Sequence, residues 1–229
     1  MLSIQRILSR VSIKRLILLA VALACLIPSM PVAAGTAAPP RSRALAALKN
    51  PDPEERRRGV LGLAEVGRMD DAPALIRALR DPDERVRGTA EEALWAVWSR
   101  SGDARVDQLL RRGISEMNGE HFGEAIATFT RIIELKPDFA EGWNKRATVY
   151  YLAGDYRHSL ADCDEVIKRN PQHFGALSGY GQIYLQLDQP ERALEYFRRA
   201  LEVNPNLDGV QATIDRLEAL EVRRRQRSI

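Results

Sequence analysis

Residues 138–171, DFAEGWNKRATVYYLAGDYRHSLADCDEVIKRNP, decide how this chain folds. The stretch carries bulky Trp143, small Ala147 four residues on and aromatic Tyr150 three further. It then carries Tyr156, small Ser159, Val166 and a closing Pro171. Apolar positions three and four apart are the period of an amphipathic helix, and a Gly154-Asp155 break divides the stretch into two such helices. A proline at the end pushes the residue before it out of helical geometry, so the second helix stops there.

The same pattern stands on both sides at a fixed distance. Residues 104–137 give Leu109, Gly113, Phe122, Ala125, Phe129, Ile132 and Pro137, with Glu116 where an aromatic is expected. Residues 172–205 give Leu177, Gly181, Tyr184, Ala193, Phe197, Ala200 and Pro205. Prolines 137, 171 and 205 therefore stand 34 residues apart in one register. A two-helix unit repeated at constant length cannot bury its apolar face alone and stacks on its neighbours. The motif resembles the tetratricopeptide repeat, over 102 of the 229 residues. The resemblance implies an all-α fold, a right-handed α–α superhelix whose first helices line a concave face. The small residues mark close helix crossings and the aromatics fill the gaps beside them.

Upstream, a shorter repeat is visible. Asn50 to Arg56 aligns with Asp81 to Arg87 at an offset of 31 residues, which also sets Leu63 on Leu94 and Leu48 on Leu79. Each copy reads as a turn, a capping Asp or Asn and a helix with an inward arginine. This resembles the short HEAT-like repeats found among other places in phycobilin lyases, and the resemblance assigns Asp81, Arg87, Asp52 and Arg56 to structural pairing between repeats. Gly59 and Gly62 replace the alanines of the pattern, so the helix of the first copy is expected to be the weaker, each glycine costing about 1 kcal/mol relative to alanine.

The expected order is then an export signal at 1–34, a flexible lead at 35–42, two HEAT-like repeats at 43–101, three 34-residue repeats at 102–205, a capping helix at 206–222 and a basic tail at 223–229. The signal rests on Arg6, Arg10, Lys14 and Arg15 ahead of the uncharged run from Leu16 to Ile27, with cleavage expected after Ala34. A run of that length is short of the ~20 residues of a membrane-crossing helix. Its removal takes the basic count from 34 to 30 against 31 acidic residues, and the formal charge from +3 to −1. Such a chain lacks the concentrated cationic face that nucleic acid requires. It keeps one cysteine, Cys163, and so no intrachain disulfide. The location expected is the periplasm of a Gram-negative bacterium, or outside the cell. Membrane contact is expected only if the signal stays uncleaved or the basic tail meets anionic lipid.

Chemistry is sparse. His121, His158 and His173 fall in turns or at helix starts, lack metal-ligand spacing and are expected to be solvated. Cys163, at an interior position, reads as a buried thiol. Asp162, Asp164 and Glu165 point in different directions on a helix and form no acid/base pair. No cofactor, metal, small-molecule substrate or catalytic residue is expected. What remains is a surface for a protein or peptide. The family register places on the concave face Leu110, Ile114 and Met117 from the first copy, Asn144, Thr148 and Tyr151 from the second, and Ser178, Gln182 and Leu185 from the third, with Lys145 alongside. Asn144 and Gln182 are expected to bond a partner's backbone. An alternative is that Trp95 or Trp98 of the preceding array covers Leu110, Ile114 and Met117. The chaperone-binding members of the family grip a C-terminal carboxylate at positions that here hold Leu110 and Ile114, so that clamp is absent. The second functional reading is a self-associating component of a cell-envelope assembly, using Trp95, Trp98 and the apolar end of the groove.

Overall fold

The computed structural model describes residues 40–226. The expected signal, residues 35–39 of the lead and the last three residues of the tail lie outside the described residues. The described residues form eleven α-helices and one 3-10 turn, with no strand. Helices α1 (Arg41–Ala47) and α2 (Pro53–Val66) form one antiparallel pair, and α3 (Ala72–Ala78) and α4 (Glu84–Trp98) form the next, after a 3-10 turn at Met69–Asp71. The second array pairs α5 (Ala104–Asn118) with α6 (Phe122–Leu135), α7 (Ala140–Leu152) with α8 (Tyr156–Arg169), and α9 (Phe174–Gln186) with α10 (Pro190–Val203); α11 (Asp208–Gln226) closes the stack.

Aspartates start the first-array helices: Asp52 accepts from the Glu54 amide at 3.0 Å and Asp83 from the Arg85 amide at 2.9 Å. Asp103 does the same for α5, from the Arg105 amide at 2.8 Å. In the second array, α6, α8 and α10 all stop two residues short of their prolines. Helix α11 buries Ile214 and Leu217 against the third pair and continues past Val222 into the basic stretch. Among the described residues no helix is long and apolar enough to cross a membrane.

The expected repeat-to-repeat pairing is seen in part. Arg56 sends Nε and Nη2 to the two Asp81 oxygens at 2.7 and 2.8 Å, and its Nη1 to the carbonyls of Asn50 and Pro51. Asp52, by contrast, is a helix cap. Helix α2 is continuous through Gly59, and a Cβ there would lie 2.8 Å from the Ala44 carbonyl oxygen, so the glycine lets α1 lie against it.

Within the second array, one position sets the fit of each pair. A Cβ at Gly113 would fall 2.6 Å from the Phe129 ring, and one at Gly181 would fall 2.4 Å from the Phe197 ring. The equivalent places in the middle pair hold Ala147 and Cys163, both buried: the small side has gained a methyl and the large side has lost its ring. Burial pushes the Cys163 thiol well up, away from thiolate chemistry.

Candidate functional site

The turns joining successive pairs of the second array stand in a row along one edge: Lys136 to Phe139, Asn170 to His173, and Asn204 to Leu207. Helix α4 lies across this row, and one face of it, at i, i+4, i+8 and i+11, makes the contact. Arg87 donates through Nε to Asn206 Oδ1 at 3.0 Å, while its Nη1 takes the carbonyls of Asp81 and Pro82. Asn206 thus does for Arg87 what Asp81 does for Arg56. Its own amide nitrogen donates to the Leu79 carbonyl at 2.8 Å, and Arg80 caps the end of α10 at the carbonyls of Glu202 and Val203. One turn along α4, Glu91 accepts from Asn204 Nδ2 at 2.9 Å. Burial raises the Glu91 carboxyl above its ordinary range, and the bond from Asn204 offsets only part of that rise.

Beyond Glu91 come the tryptophans. Trp95 meets Trp98, His173 and Phe174 edge-on, with centroids 5.3–5.5 Å apart, and Trp98 stacks on His173 at 4.4 Å. Phe174 is part of the first array's apolar core although it belongs to the second. The tip of the Trp95 indole reaches so near α9 that a Cβ at Gly175 would be 2.4 Å away.

Under the indoles lies a buried polar cluster. His173 accepts from the Ala176 amide at Nδ1, 3.1 Å, which leaves its proton on Nε2, and that nitrogen donates to Glu141 Oε2 at 3.1 Å. Lys145 pairs with Glu141 Oε1 at 3.1 Å and places Nζ 5.7 Å from the Trp95 ring centroid; Asn144 Nδ2 donates to Glu141 Oε2 at 3.1 Å. Burial alone would push the Glu141 carboxyl up, but the Lys145 charge and the His173 bond outweigh it and hold the group at about 2. His173 is fully buried, so the expectation of three solvated histidines is corrected: this one caps a helix from inside. Sequence reasoning did not find Glu141 or His173 as a pair; the glycine at 175, inside a helix, was the available sign that something large lies against it.

The structure divides the ten stripe residues. Leu110 and Met117 are buried in the core of the first pair, with Val106, Phe129 and Phe139, and Ile114 packs partly against that core. The tryptophans are on His173 and Phe174, so the expectation that they cover Leu110, Ile114 and Met117 is corrected: those three pack in a core made by their own pair with Phe139 and Val149 of the next. Asn144 and Lys145 are likewise buried, in the Glu141 cluster, so Asn144 presents almost no surface with which to bond a partner backbone. Ile114, Thr148, Tyr151, Ser178, Gln182 and Leu185 remain half-buried. They run down the first helices of the three pairs below the point where α4 crosses, and none carries a charge. Thr148 donates to the Asn144 carbonyl at 2.9 Å, and Tyr151 leans on Tyr156 with centroids 5.8 Å apart. Burial pushes the Tyr151 phenol up to about 12, so it stays a neutral donor. Leu152 and Leu187 are exposed at the lower ends of α7 and α9.

The other expected chemistry falls out simply. Asp162 takes Arg146 in a two-pronged pair at 2.8 Å, Asp164 accepts from the Tyr180 hydroxyl and Glu165 from Arg169, so the three carboxylates face three ways. Among the described residues no group of three or more His, Cys, Asp or Glu side chains is placed to hold a metal ion.

Comparison with known proteins finds both kinds of repeat, with matches that overlap at residues 110–120. A family model described as HEAT repeats matches residues 42–120, and one described as tetratricopeptide repeat matches residues 110–157 and 145–208. A TPR repeat-containing protein of Rhizobium etli is 33% identical over 138 residues, 60% of this chain and 67% of its own length. The small glutamine-rich tetratricopeptide repeat-containing protein of Dictyostelium discoideum is 27% identical over 124 residues, 53% of this chain but only 37% of its own length. Among solved structures, the first TPR of Spaghetti (RPAP3) bound to the HSP90 peptide SRMEEVD aligns with a TM-score of 0.50 at 21% identity, covering 52% of this chain and 96% of that one. The Sgt2 TPR domain from Aspergillus fumigatus aligns with a TM-score of 0.50 at 18% identity, covering 55% and 83%. At these identities the likeness to the two structures is one of fold.

Proposed function

The chain belongs to the tetratricopeptide repeat family, and from that premise we propose that it is a non-enzymatic interaction module that holds a peptide or protein segment along the concave face of its second array. The observation that carries this reading is the uncharged, half-exposed line of Ile114, Thr148, Tyr151, Ser178, Gln182 and Leu185. It is apolar toward the first pair and rich in hydrogen-bonding groups toward the third. Such a line suits a segment whose apolar side chains face Ile114 and whose backbone meets Thr148, Tyr151 and Gln182. The peptide bound in the RPAP3 structure lends general support to peptide binding by this fold. A carboxylate clamp is not part of the reading, since Leu110 and Ile114 stand at its positions.

Selection from a displayed peptide library tests it. Sequences enriched on the wild-type chain lose at least tenfold in affinity on the Tyr151→Ala/Gln182→Ala chain; identical enrichment on both removes the concave face from the account. The self-association reading is the weaker, because Trp98 is buried and the half-buried Trp95 already packs on Trp98, His173 and Phe174, which reduces the surface it needs.

The same proposal sets the protein in the periplasm or outside the cell, supported by the cations and apolar run ahead of Ala34. Mass spectrometry of the protein recovered from its own cells is expected to find a chain starting at Gly35; a chain retaining the first 34 residues in the cytosol removes this part.

A further inference from the structure

Three features of the α4 contact bear on how firmly it is held. First, it is dense in polar groups: Arg87, Glu91, Asn204, Asn206, Glu141, Lys145 and His173 all lie in or directly under it, beside the apolar contacts of Phe174, Val203 and Leu207. Second, two buried donors find no protein partner there, Trp98 Nε1 on the α4 side and Asn170 Nδ2 on the turn side. Buried donors of this kind are rare and weaken the surface that contains them, because water satisfies them as soon as that surface opens. Third, the same two residues border a small cleft between the arrays, lined also by Met69, Asp138 and Phe139, so the closure is incomplete at that end. On the C-terminal side the surface is nonetheless built: Gly175 makes room for an indole, Lys145 and His173 flank it, and Asn204 and Asn206 stand one and two turns of α4 away to fix the register.

We propose that α4 is the resident occupant of a helix-docking face on the second array, and that an amphipathic partner helix presenting an indole over Gly175 displaces it. The favoured partner carries a carboxylate four residues before that indole, to take Asn204, and a second aromatic three residues after it, to stack on His173. Displacement swings the first array away about Ser99–Asp103, where Gly102 adopts a positive φ of 77°. It also uncovers the upper end of the concave face at Glu141, Asn144 and Lys145. The inference rests on the reading of the second array as a binding module and adds the means by which its upper end is kept shut.

The test uses the full chain and, as probe, a labelled synthetic peptide of residues 84–99, followed by fluorescence anisotropy. In wild type the indole site is filled by Trp95 of the chain itself. The Trp95→Ala chain leaves it empty and is expected to bind the peptide at least tenfold more tightly. Adding Gly175→Ala fills the site with a methyl and is expected to cost at least tenfold again. Equal affinity of the wild-type and Trp95→Ala chains, or no binding by a Trp95→Ala chain whose circular dichroism and melting remain those of a folded protein, overturns the proposal. The Gly175→Ala chain alone guards against a misfolded variant: alanine suits a helix better than glycine, so α9 persists. Amide exchange in α4 is expected to speed up at least tenfold in that chain, and unchanged exchange in α4 overturns the proposal. The Tyr151→Ala/Gln182→Ala chain, with Trp95→Ala added, keeps full affinity for the probe. That result separates a failure here from a failure of the lower groove.

Discussion

Phe129 and Phe197 each fill the space above a glycine on the facing helix with a ring and nothing else, whereas Trp95, which also meets a glycine, does so among a carboxylate, an ammonium group and an imidazole. The two kinds of junction differ in how they fail. An aromatic against a glycine in an apolar layer is held by shape and by removal from water, so it has no lower-energy open form. Trp95 closes over groups that water would serve as well, and Trp98 Nε1 and Asn170 Nδ2 find no protein partner while it is closed. Junctions of the first kind make the array; the second kind joins the two arrays. A chain that needs a rigid stack and a releasable cover has reason to use both.

The contrast can be broken at either end. Phe129→Ala removes the ring without replacing it and is expected to destabilise the chain by about 3–5 kcal/mol, measured by urea unfolding; a loss below about 1 kcal/mol would mean that the pair collapses around the gap and that shape is not what holds it. Glu141→Gln leaves Lys145 buried beside a neutral amide, and about 3–5 kcal/mol is expected from breaking such a pair. The same carboxylate gives the acid limit. Its folded-state value is about 2 against an ordinary 4.5, so the stability it supplies is complete above 4.5 and is lost as the pH falls from 4.5 toward 2. The melting temperature of wild type should fall through that window more steeply than that of Glu141→Gln, and parallel curves would remove the carboxylate from the cause.

Gly181→Ala is expected to cost about 1–3 kcal/mol through overpacking against Phe197. The double change Gly181→Ala/Phe197→Cys, which copies the Ala147 and Cys163 of the middle pair, should cost less than the sum of its two single changes. Additivity would show that the two positions do not read each other. Glu91 carries the opposite sign. Its carboxyl is raised by burial, so the docked form of α4 is favoured as the pH falls and weakened as it rises past the raised value. Glu91→Gln keeps an acceptor for Asn204 without a charge and should stabilise docking by up to about 1 kcal/mol, seen as slower amide exchange in α4 at neutral pH; faster exchange would mean that the charge itself is attracted there.

Most of the helices and their pairing were legible because they follow from local period: 34 residues in one half, 31 in the other, with aspartate caps and prolines at the ends. The contact of α4 with the row of turns was not, since no period links residues 87–98 to residues 170–206. Its traces were there as departures from the repeat. Asn170 and Asn204 stand where the first copy has Lys136, and Gly175 falls where the second has Gly142's neighbour Glu141. Arg87 repeats Arg56 with no third aspartate to receive it. The stripe taken from the family register runs down the first helices of the three pairs. What the register could not convey is which end of that stripe another part of the same chain would occupy, and so Asn144 and Lys145 were counted as open.

Helix α4 also acts as a gauge. From Arg87 to Trp98 it rises about 16 Å, enough to reach from the turn that bears Asn206 to the turn that bears His173, in a stack whose helices pack about 8–10 Å apart. Lengthening the second array by one unit would carry the turn that bears Asn206 out of reach of Arg87, and shortening it would leave the arginine facing solvent. The copy number of the long repeat is thereby tied to the length of a helix in the short one, and the two modules are not free to vary independently.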